Sequence, residues 1–303
     1  MNRKLLPALC LVLAACLAFV PALGENVEGS LPQMVKVTFP EGCAAAVPAT
    51  AKENYRAAES GYSEDNLSYH DDSLDVQLHH IRVYDTPVVV AFVQIADPAQ
   101  LKTEQAKPYP SKSTMRILEI ARRVKAVIAV NGDWFTYHNT GIVYRNGELL
   151  RNRSNAEYDG LAIDVNGDFH IVRPMTEEEY AKLSVPIAQS FVFGPALVID
   201  GEVQEIVNRK VTYKQRMGIG QIGPLSYVLV ATDGPDQKDS VGLSVPQLAE
   251  LMHGLGAQTA YNLDGGQSTS MMIHQVKVNG QAPKTMRAIG DILYFTTAIP
   301  DGE

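Results

Sequence analysis

Leu161-Ala-Ile-Asp-Val-Asn-Gly-Asp-Phe-His-Ile-Val172 is the stretch that decides the fold, because strand-forming residues stand on both sides of an Asn-Gly pair. Asn and Gly tolerate the positive φ angles of a tight two-residue turn, so the pattern predicts a β-hairpin. We predict hairpin turns at three other pairs of this kind, Asn146-Gly147, Asp200-Gly201 and Asn279-Gly280. Turns at this density predict a meandering sheet.

Apolar patterns predict buried strands and three helices around these hairpins. The β-branched runs at residues 88–95 and 124–130 are short enough to be buried strands. Ser244 begins a capping-box pattern ahead of one amphipathic helix, and two more helices are predicted over residues 113–125 and from Thr176 onward. The predicted fold class is mixed α/β of the α+β kind: a strand-rich mixed sheet with hairpins and a few packed helices, in a single main domain.

The charge balance argues against one class of partner. The chain has 303 residues, with 34 acidic and 26 basic side chains and a formal net charge of -8. Polyanions repel such a protein, so we expect no non-specific binding to nucleic acid. Hydrophobic residues make up 46% of the chain, which is enough to form a large core.

The first 24 residues have the pattern of a signal peptide. Arg3 and Lys4 precede an apolar run that ends at Val20, and this run is too short for a membrane anchor. We expect cleavage after Gly24 and a secreted product with no integral membrane domain. The alternative is a lipoprotein anchored at Cys16, because residues 13–16 resemble a lipoprotein box. Residues 25–75 are then an N-terminal lead-in, and residues 76–303 form the main domain.

Cys43 is the single cysteine after the leader, so no disulfide is expected within the mature chain, and we interpret its thiol as inert. The histidines lack the spacing of a zinc site. The acidic residues at 71–75 lack the glycine and the final glutamate of an EF-hand loop. We predict no catalytic metal and no cofactor, and leave open a calcium ion that holds a loop.

Four segments have the composition of a ligand site. Residues 131–133 (Asn-Gly-Asp) follow a predicted buried strand, and strand ends commonly present ligand-contacting groups. In residues 264–266 (Asp-Gly-Gly), the glycines let backbone N–H groups approach an oxyanion. Arg216 carries a guanidinium that suits phosphate, and Asp233 follows another predicted strand. Each segment, taken alone, also fits an ordinary turn or a surface charge.

Together and in this order, these segments resemble the phosphodiester glycosidase family over roughly residues 76–298. Two positions depart from the family pattern: Asp133 stands where a small residue is common, and residues 214–217 replace an Arg-Pro-Arg-Thr-like run. The resemblance rests on Val130-Asn131-Gly132, Phe193-Gly194-Pro195, Asp200-Gly201, Arg216-Met-Gly-Ile-Gly220, Asp233-Gly234 and the block Gly242 to Met252 leading through Gly256-Ala257 to Asn262-Leu-Asp-Gly-Gly266.

The resemblance implies hydrolysis of a sugar 1-phosphodiester, with a sugar such as N-acetylglucosamine leaving a phosphorylated glycan or envelope polymer. A carboxylate would stabilise or attack the oxocarbenium-like centre while other groups hold the departing phosphate. Asp264 is the predicted principal carboxylate, and Asp233 its partner or acid/base. The predicted substrate-binding residues are Asn131, Asp133, Arg216, Asn262, Gly265, Gly266, Ser268 and Arg287.

Two alternatives remain at this point. A non-catalytic carbohydrate-binding or envelope polysaccharide assembly protein would keep the same pocket for recognition alone. A metal-dependent phosphodiesterase would cut the P–O bond instead of the C–O bond.

Overall fold

A computed structural model describes residues 29–41, 55–206, 211–280 and 286–299. The predicted signal peptide, the alternative lipid on Cys16 and the thiol of Cys43 all lie outside these ranges. Within the ranges, none of the helices has the length and apolar character needed to span a membrane.

Strands predominate among the described residues, which confirms the predicted strand-rich α+β class. The helices are α1 (Ile117–Arg123), α2 (Glu177–Ala181) and α3 (Val245–Gly254), with short 3-10 turns at Glu59–Gly61, Pro98–Gln100 and Gly266–Ser268. The strands are β1 (Ser68–His70), β2 (Leu74–Val83), β3 (Thr86–Ile95), β4 (Leu101–Gln105), β5 (Ile128–Asn131), β6 (Gly141–Arg145), β7 (Glu148–Arg153), β8 (Gly160–Asp164), β9 (Phe169–Val172), β10 (Ile187–Phe191), β11 (Ala196–Ile199), β12 (Glu202–Val203), β13 (Met217–Gly223), β14 (Ser226–Thr232), β15 (Thr259–Leu263), β16 (Met271–Ile273), β17 (Val276–Lys277) and β18 (Asp291–Phe295).

Two large sheets pack face to face. One has the strand order β1-β2-β3-β14-β13-β15-β11-β12 and the other the order β17-β16-β5-β18-β4. The strand pairings described in both sheets are antiparallel. The other strands form two smaller sheets, with the orders β10-β8-β9 and β6-β7. Hairpin connections between sequential strands favour this antiparallel arrangement.

The β-branched run of β3 is buried on both faces, which explains why it shows no polar alternation. Val89 and Val93 lie in the core between the two large sheets. Val88 and Phe92 point the other way and pack in the cluster under α3. A third apolar cluster places α1 on the outer face of the five-stranded sheet. The layers are therefore helix, sheet, sheet, helix, with the main core between the sheets.

Three of the four predicted hairpin turns are confirmed. Residues 146–147 join β6 to β7, residues 166–167 lie between β8 and β9, and residues 200–201 join β11 to β12. Residues 279–280 follow β17, and residues 281–285, where the second strand of this hairpin would begin, lie outside the described residues, so this turn stays a prediction. The turn from β2 to β3 at residues 84–85 was missed, because Tyr and Asp take positive φ angles there without a glycine.

Helices α2 and α3 begin at the predicted N-cap residues. The Ser244 hydroxyl accepts from a backbone N–H at the start of α3, and Thr176 does the same for α2. Helix α1 is shorter than the predicted residues 113–125, because Met115 forms a β-bridge with Ile289 before the helix begins. A tertiary strand contact therefore replaces the first predicted turn of this helix.

The eight-stranded sheet begins within the stretch interpreted as a lead-in. Strand β1 and the start of β2 precede residue 76, and Tyr69 and Leu74 are buried in the core between the sheets. In residues 29–41, the backbone of Val37 makes two hydrogen bonds with the side-chain amide of Gln94. One buried aromatic on a three-residue strand is too weak a pattern to predict a strand from sequence.

Candidate functional site

Asp264 follows β15 directly, where the end of β5 in the facing sheet meets it. Its backbone N–H donates to the carbonyl of Gly132 (3.3 Å). The side-chain amide of Asn131 donates to the carbonyls of Asp264 (2.8 Å) and Gly132 (3.1 Å), and its oxygen accepts from the Ser270 N–H (3.0 Å). Because Asn131 is 1% exposed, its amide acts as an internal brace that fixes the Asp264 turn.

The Asp264 carboxyl is partly buried, and this burial raises its pKa. A hydrogen bond with Ser268 and the positive charge of Arg287 act in the opposite direction and favour the carboxylate. Arg287 is exposed, and its guanidinium lies 5.9 Å from the ring centre of Tyr137. The partly buried Asp264 carboxyl therefore lies within electrostatic range of an exposed guanidinium, that of Arg287.

A cavity of about 250 Å³ borders the Asp264 turn. Its side chains include one carboxylate and one ammonium group, with amides and hydroxyls making up most of the remainder, so its net charge is close to zero. Groups of this kind can both donate to and accept from the hydroxyls of a sugar. The lining residues are Gln215, Asp236, Gln237, Gly266, Gln267, Thr269, Ser270, Lys277 and Met286.

Gln215 joins the Asp264 turn to the turn that follows β14. Its carbonyl accepts from the N–H of Gly266 (2.9 Å), and its side-chain amide donates to the Asp236 carboxylate. The same side chain packs against Gly234, where a Cβ would lie 2.4 Å from the amide carbon of Gln215. Both turns therefore border one cavity, and Gly234 is required for the close approach.

Asp233 is partly buried on the second of these turns. Burial raises its pKa, while a hydrogen bond from the Gly280 backbone and the charge of Lys277 lower it and the charge of Asp236 raises it further. Burial also lowers the pKa of Lys277, whose ammonium donates to the carbonyl of Asn279. Asp233 thus lies in a charged cluster next to the cavity, and among positive charges that of Lys277 has the largest effect on its pKa.

Arg216 lies next to Asp264 through the antiparallel pairing of β13 with β15. Its guanidinium, however, donates to the carbonyls of Leu243 (2.9 Å) and Thr212 (2.7 Å), and the residue is 7% exposed. These contacts hold the segment before α3. The role of Arg216 as a phosphate ligand stays a prediction, and in the described arrangement the guanidinium is engaged with backbone.

Asp133 shares Arg145 with Asp291 in a buried ion cluster. The Arg145 guanidinium lies 2.7 Å from Asp291 and 3.3 Å from Asp133, and at most 2% of any of these three side chains is exposed. The second oxygen of Asp133 accepts from the Val192 N–H (2.7 Å). Asp133 therefore has its hydrogen-bond partners inside the protein, at the base of the turn that leads to the site.

The other predicted substrate-binding residues near Asp264 are buried or partly buried. Asn262 is 1% exposed and donates to the carbonyl of Gly194 (2.8 Å). Ser268 is buried and bonds to Asp264. A Cβ at Gly265 would lie 2.8 Å from the carbonyl oxygen of Gln215, so glycine is needed there, and Gly266 lines the cavity. Contact of these residues with a substrate stays a prediction.

Lys277 and Thr269 line the cavity but were missed from the sequence. Lys277 ends the short hairpin strand β17, which has no motif of its own. Thr269 belongs to the Ser-Thr-Ser run after the Gly-Gly pair, and that hydroxyl-rich run was its available signal. It is 4% exposed, and its hydroxyl has no hydrogen-bond partner among the described residues.

The profile described as phosphodiester glycosidase matches residues 124–296, more than half of the chain. The chain belongs to the phosphodiester glycosidase family. The match includes β5, the Asp233 turn and the Asp264 turn, and thus both borders of the cavity.

Solved structures share the fold of this chain. The catalytic domain of zebrafish N-acetylglucosamine-1-phosphodiester alpha-N-acetylglucosaminidase, auto-inhibited by its pro-peptide, aligns with a TM-score of 0.60 and 18% identity, covering 81% of this chain and 88% of that one. A hypothetical protein from Synechocystis aligns with a TM-score of 0.56 and 14% identity, covering 75% of this chain and 62% of that one.

A curated relative of the phosphodiester glycosidase is the SPbeta prophage-derived uncharacterized protein YomE of Bacillus subtilis (strain 168). The two are 25% identical over 196 residues, which is 62% of this chain and 30% of YomE. This chain therefore spans less than a third of that relative.

The described residues contain no cluster of side chains that could bind a metal ion. No three His, Cys, Asp or Glu side chains there lie together in a way that could hold an ion. Asp71 instead accepts hydrogen bonds from the backbone of Ser73 (2.7 Å) and Leu74 (2.9 Å). A calcium ion that holds a loop stays a hypothesis.

The stability of this protein is expected to fall between about pH 4 and pH 7 because of Asp291. Burial raises the pKa of Asp291 to about 7; the charge of Arg145 lowers it, and that of Asp133 raises it. The folded state therefore keeps a proton that the unfolded chain releases near pH 4. The stabilisation that comes from the protonated Asp291 carboxyl is fully present below the pKa of this group in the unfolded chain, and it is lost as the pH rises through 7. The free energy of unfolding falls by at most about 1.4 kcal/mol per pH unit.

Denaturant unfolding of Asp291→Asn and of the unsubstituted protein at pH 5 and pH 8 measures this effect. The asparagine variant cannot ionise, so its stability relative to the unsubstituted protein should improve from pH 5 to pH 8. Two proteins whose stabilities change in parallel with pH would show that Asp291 does not titrate in this range.

Proposed function

We propose that this protein is an exported hydrolase that cleaves a sugar 1-phosphodiester. In this reaction it removes a sugar such as N-acetylglucosamine from a phosphorylated glycan or envelope polymer. The observation that carries the proposal is the position of Asp264, which lies within electrostatic range of Arg287 on a turn that borders a nearly neutral polar cavity. A carboxylate next to a solvent-facing guanidinium suits a reaction that develops positive charge on a sugar and negative charge on a phosphate.

The C–O bond at the anomeric carbon breaks in the proposed reaction. The bonding electrons leave with the phosphate oxygen, and water supplies the hydroxyl of the free sugar and a proton. Asp264 stabilises or attacks the oxocarbenium-like centre. Phosphate is a good leaving group, so holding its charge matters more than protonating it, and Arg287, whose charge acts on Asp264, is the proposed group for that task.

Asp233 is the proposed partner of Asp264 and acts on the water or on the leaving oxygen. Burial raises the pKa of Asp233 above the ordinary value of an aspartate, which favours a role in proton transfer. Asp233 lies on the turn that also carries Asp236, and Asp236 lines the cavity together with Gly266. The side-chain amide and carbonyl of Gln215 hold the two turns at a fixed separation.

Hydrolysis in oxygen-18 water tests the proposal. The purified protein is incubated with a panel of glycosyl 1-phosphodiesters, and the products are weighed by mass spectrometry. We expect a free sugar that carries the label and a phosphomonoester that does not. Label in the phosphate would indicate P–O cleavage by a phosphodiesterase. Saturable binding of the glycan without any product would favour a carbohydrate-binding protein.

A further inference from the structure

A second cavity of about 170 Å³ lies beside the loop that follows β5, and its lining contains no acidic side chain. Two of its residues, Lys112 and Arg151, carry a positive charge, and His138 adds an imidazole. Most of the others supply hydroxyl, phenol or amide groups. The lining residues are Tyr109, Pro110, Ser111, Lys112, Phe135, Thr136, Tyr137, His138, Asn139 and Arg151.

Arg151 brings a buried positive charge to this cavity. It is 7% exposed, and its guanidinium donates to the carbonyls of Phe135 (2.9 Å), His138 (2.8 Å) and Thr140. Carbonyl oxygens satisfy the donors without cancelling the charge. Burial lowers the pKa of Arg151, but a guanidinium stays protonated at neutral pH. A nearby anion would therefore gain from this charge.

The second cavity is connected to the candidate active site by residues 286–288. Met286 lines the first cavity. Arg287 acts on Asp264 and lies over the ring of Tyr137, which lines the second cavity. The Tyr137 hydroxyl also donates to the carbonyl of Ala288 (3.4 Å). A ligand bound at Asp264 could therefore extend past Arg287 into the second cavity.

We propose that the second cavity binds an additional anionic group of the substrate, a phosphate or a carboxylate, so that this enzyme acts on a glycan with more than one negative charge. That the substrate is a glycan rests on the proposed function. Binding of an anion in the second cavity does not depend on it. The chain as a whole has a net charge of -8 and repels anions at long range. The second cavity, which has no acidic residue in its lining, is therefore locally positive in a negatively charged protein. The positive charges of Lys112 and Arg151 attract an anion to it.

Tryptophan fluorescence can report on this cavity directly. Trp134 is the single tryptophan of the chain, and its ring packs on His138 with 3.9 Å between ring centres. Sodium phosphate and sodium acetate are titrated separately at constant ionic strength, to distinguish the two anion types. We expect a saturable change in emission with at least one of them. No saturable change with either anion overturns the proposal.

Lys112→Met should weaken this binding by about threefold to tenfold, as expected for the loss of one charge-assisted contact. Lys238→Met is the matched control, because it removes the same charge from a side chain that is 92% exposed and lines neither cavity. Equal affinities in the two variants overturn the proposal. Lys277→Met tests the location: if it weakens binding as much as Lys112→Met does, the anion occupies the first cavity, and the proposal is again overturned.

A kinetic comparison keeps this proposal separate from the proposed function. The ratio of kcat/KM for a phosphodiester with a second phosphate to that for one without it should fall about threefold or more in Lys112→Met and stay unchanged in Lys238→Met. An unchanged ratio in Lys112→Met counts against the proposal. If no phosphodiester is hydrolysed by the unsubstituted protein, the proposed function fails, whereas the fluorescence titration still decides whether the cavity binds an anion.

Discussion

Asp264→Asn is expected to lower kcat/KM for a glycosyl phosphodiester by about a thousandfold, within the range found when a residue that acts in the chemical step is removed. Asparagine has the same size and can still hydrogen-bond with Ser268, but it cannot carry the negative charge that stabilises the developing sugar cation. Steady-state kinetics of the purified variant and of the unsubstituted protein measure the effect. The experiment presupposes a substrate identified by the product screen.

Stability measurements separate a chemical effect of Asp264→Asn from misfolding. Burial raises the pKa of Asp264, so its charged form is costly in the folded state, and the asparagine variant should unfold at the same or a higher denaturant concentration. Asp200→Asn is the matched control, because Asp200 is an exposed hairpin residue at φ 51°, a conformation that asparagine tolerates. Equal turnover by Asp264→Asn and Asp200→Asn would remove Asp264 from the mechanism.

Arg145→Met is expected to cost about 3–5 kcal/mol of unfolding free energy at pH 7. The substitution leaves Asp133 and Asp291 buried together without their shared cation. It also removes the hydrogen bond that the guanidinium donates to the carbonyl of Tyr144 (2.9 Å). Urea unfolding monitored by circular dichroism measures the loss.

Arg116→Met is the control for this experiment. Arg116 lies 2.6 Å from Glu119, but 55% and 44% of the two side chains are exposed, so its loss should cost at most about 1 kcal/mol. The stability lost in Arg145→Met should be partly recovered at pH 5, because the unpaired carboxyls can take up protons. A loss of the same size at both pH values would mean that packing, and not charge, explains the effect.

The Asp264 turn itself was predictable because it depends on a short run of residues. Two glycines next to an acidic residue at a strand end favour a turn, and the same run carries the family resemblance, although the Gly266 N–H donates to the carbonyl of Gln215 instead of facing an anion. The caps of α2 and α3 were predictable for a similar reason, since a hydroxyl at Ser244 or Thr176 bonds to the next turn of its own helix.

The partners of the predicted site residues were not predictable. Arg216 was expected to face an anion, yet its guanidinium is held by the backbone near α3. Asp133 was expected to line the pocket, yet it pairs with Arg145 behind it. Lys277 and Lys112 belong to no motif, and only the packing of separate hairpins and loops places them at the two cavities.

The sequence by itself determined the strand-rich class, most of the hairpins, the helix caps and the Asp264 turn. Each of these follows from backbone preferences and hydrogen bonds that reach only a few residues along the chain. The tertiary structure decided which cation meets which carboxylate, as when Arg145 meets Asp291, 146 residues away. Such pairings depend on how two sheets are packed and registered, and local preferences carry no information about that arrangement.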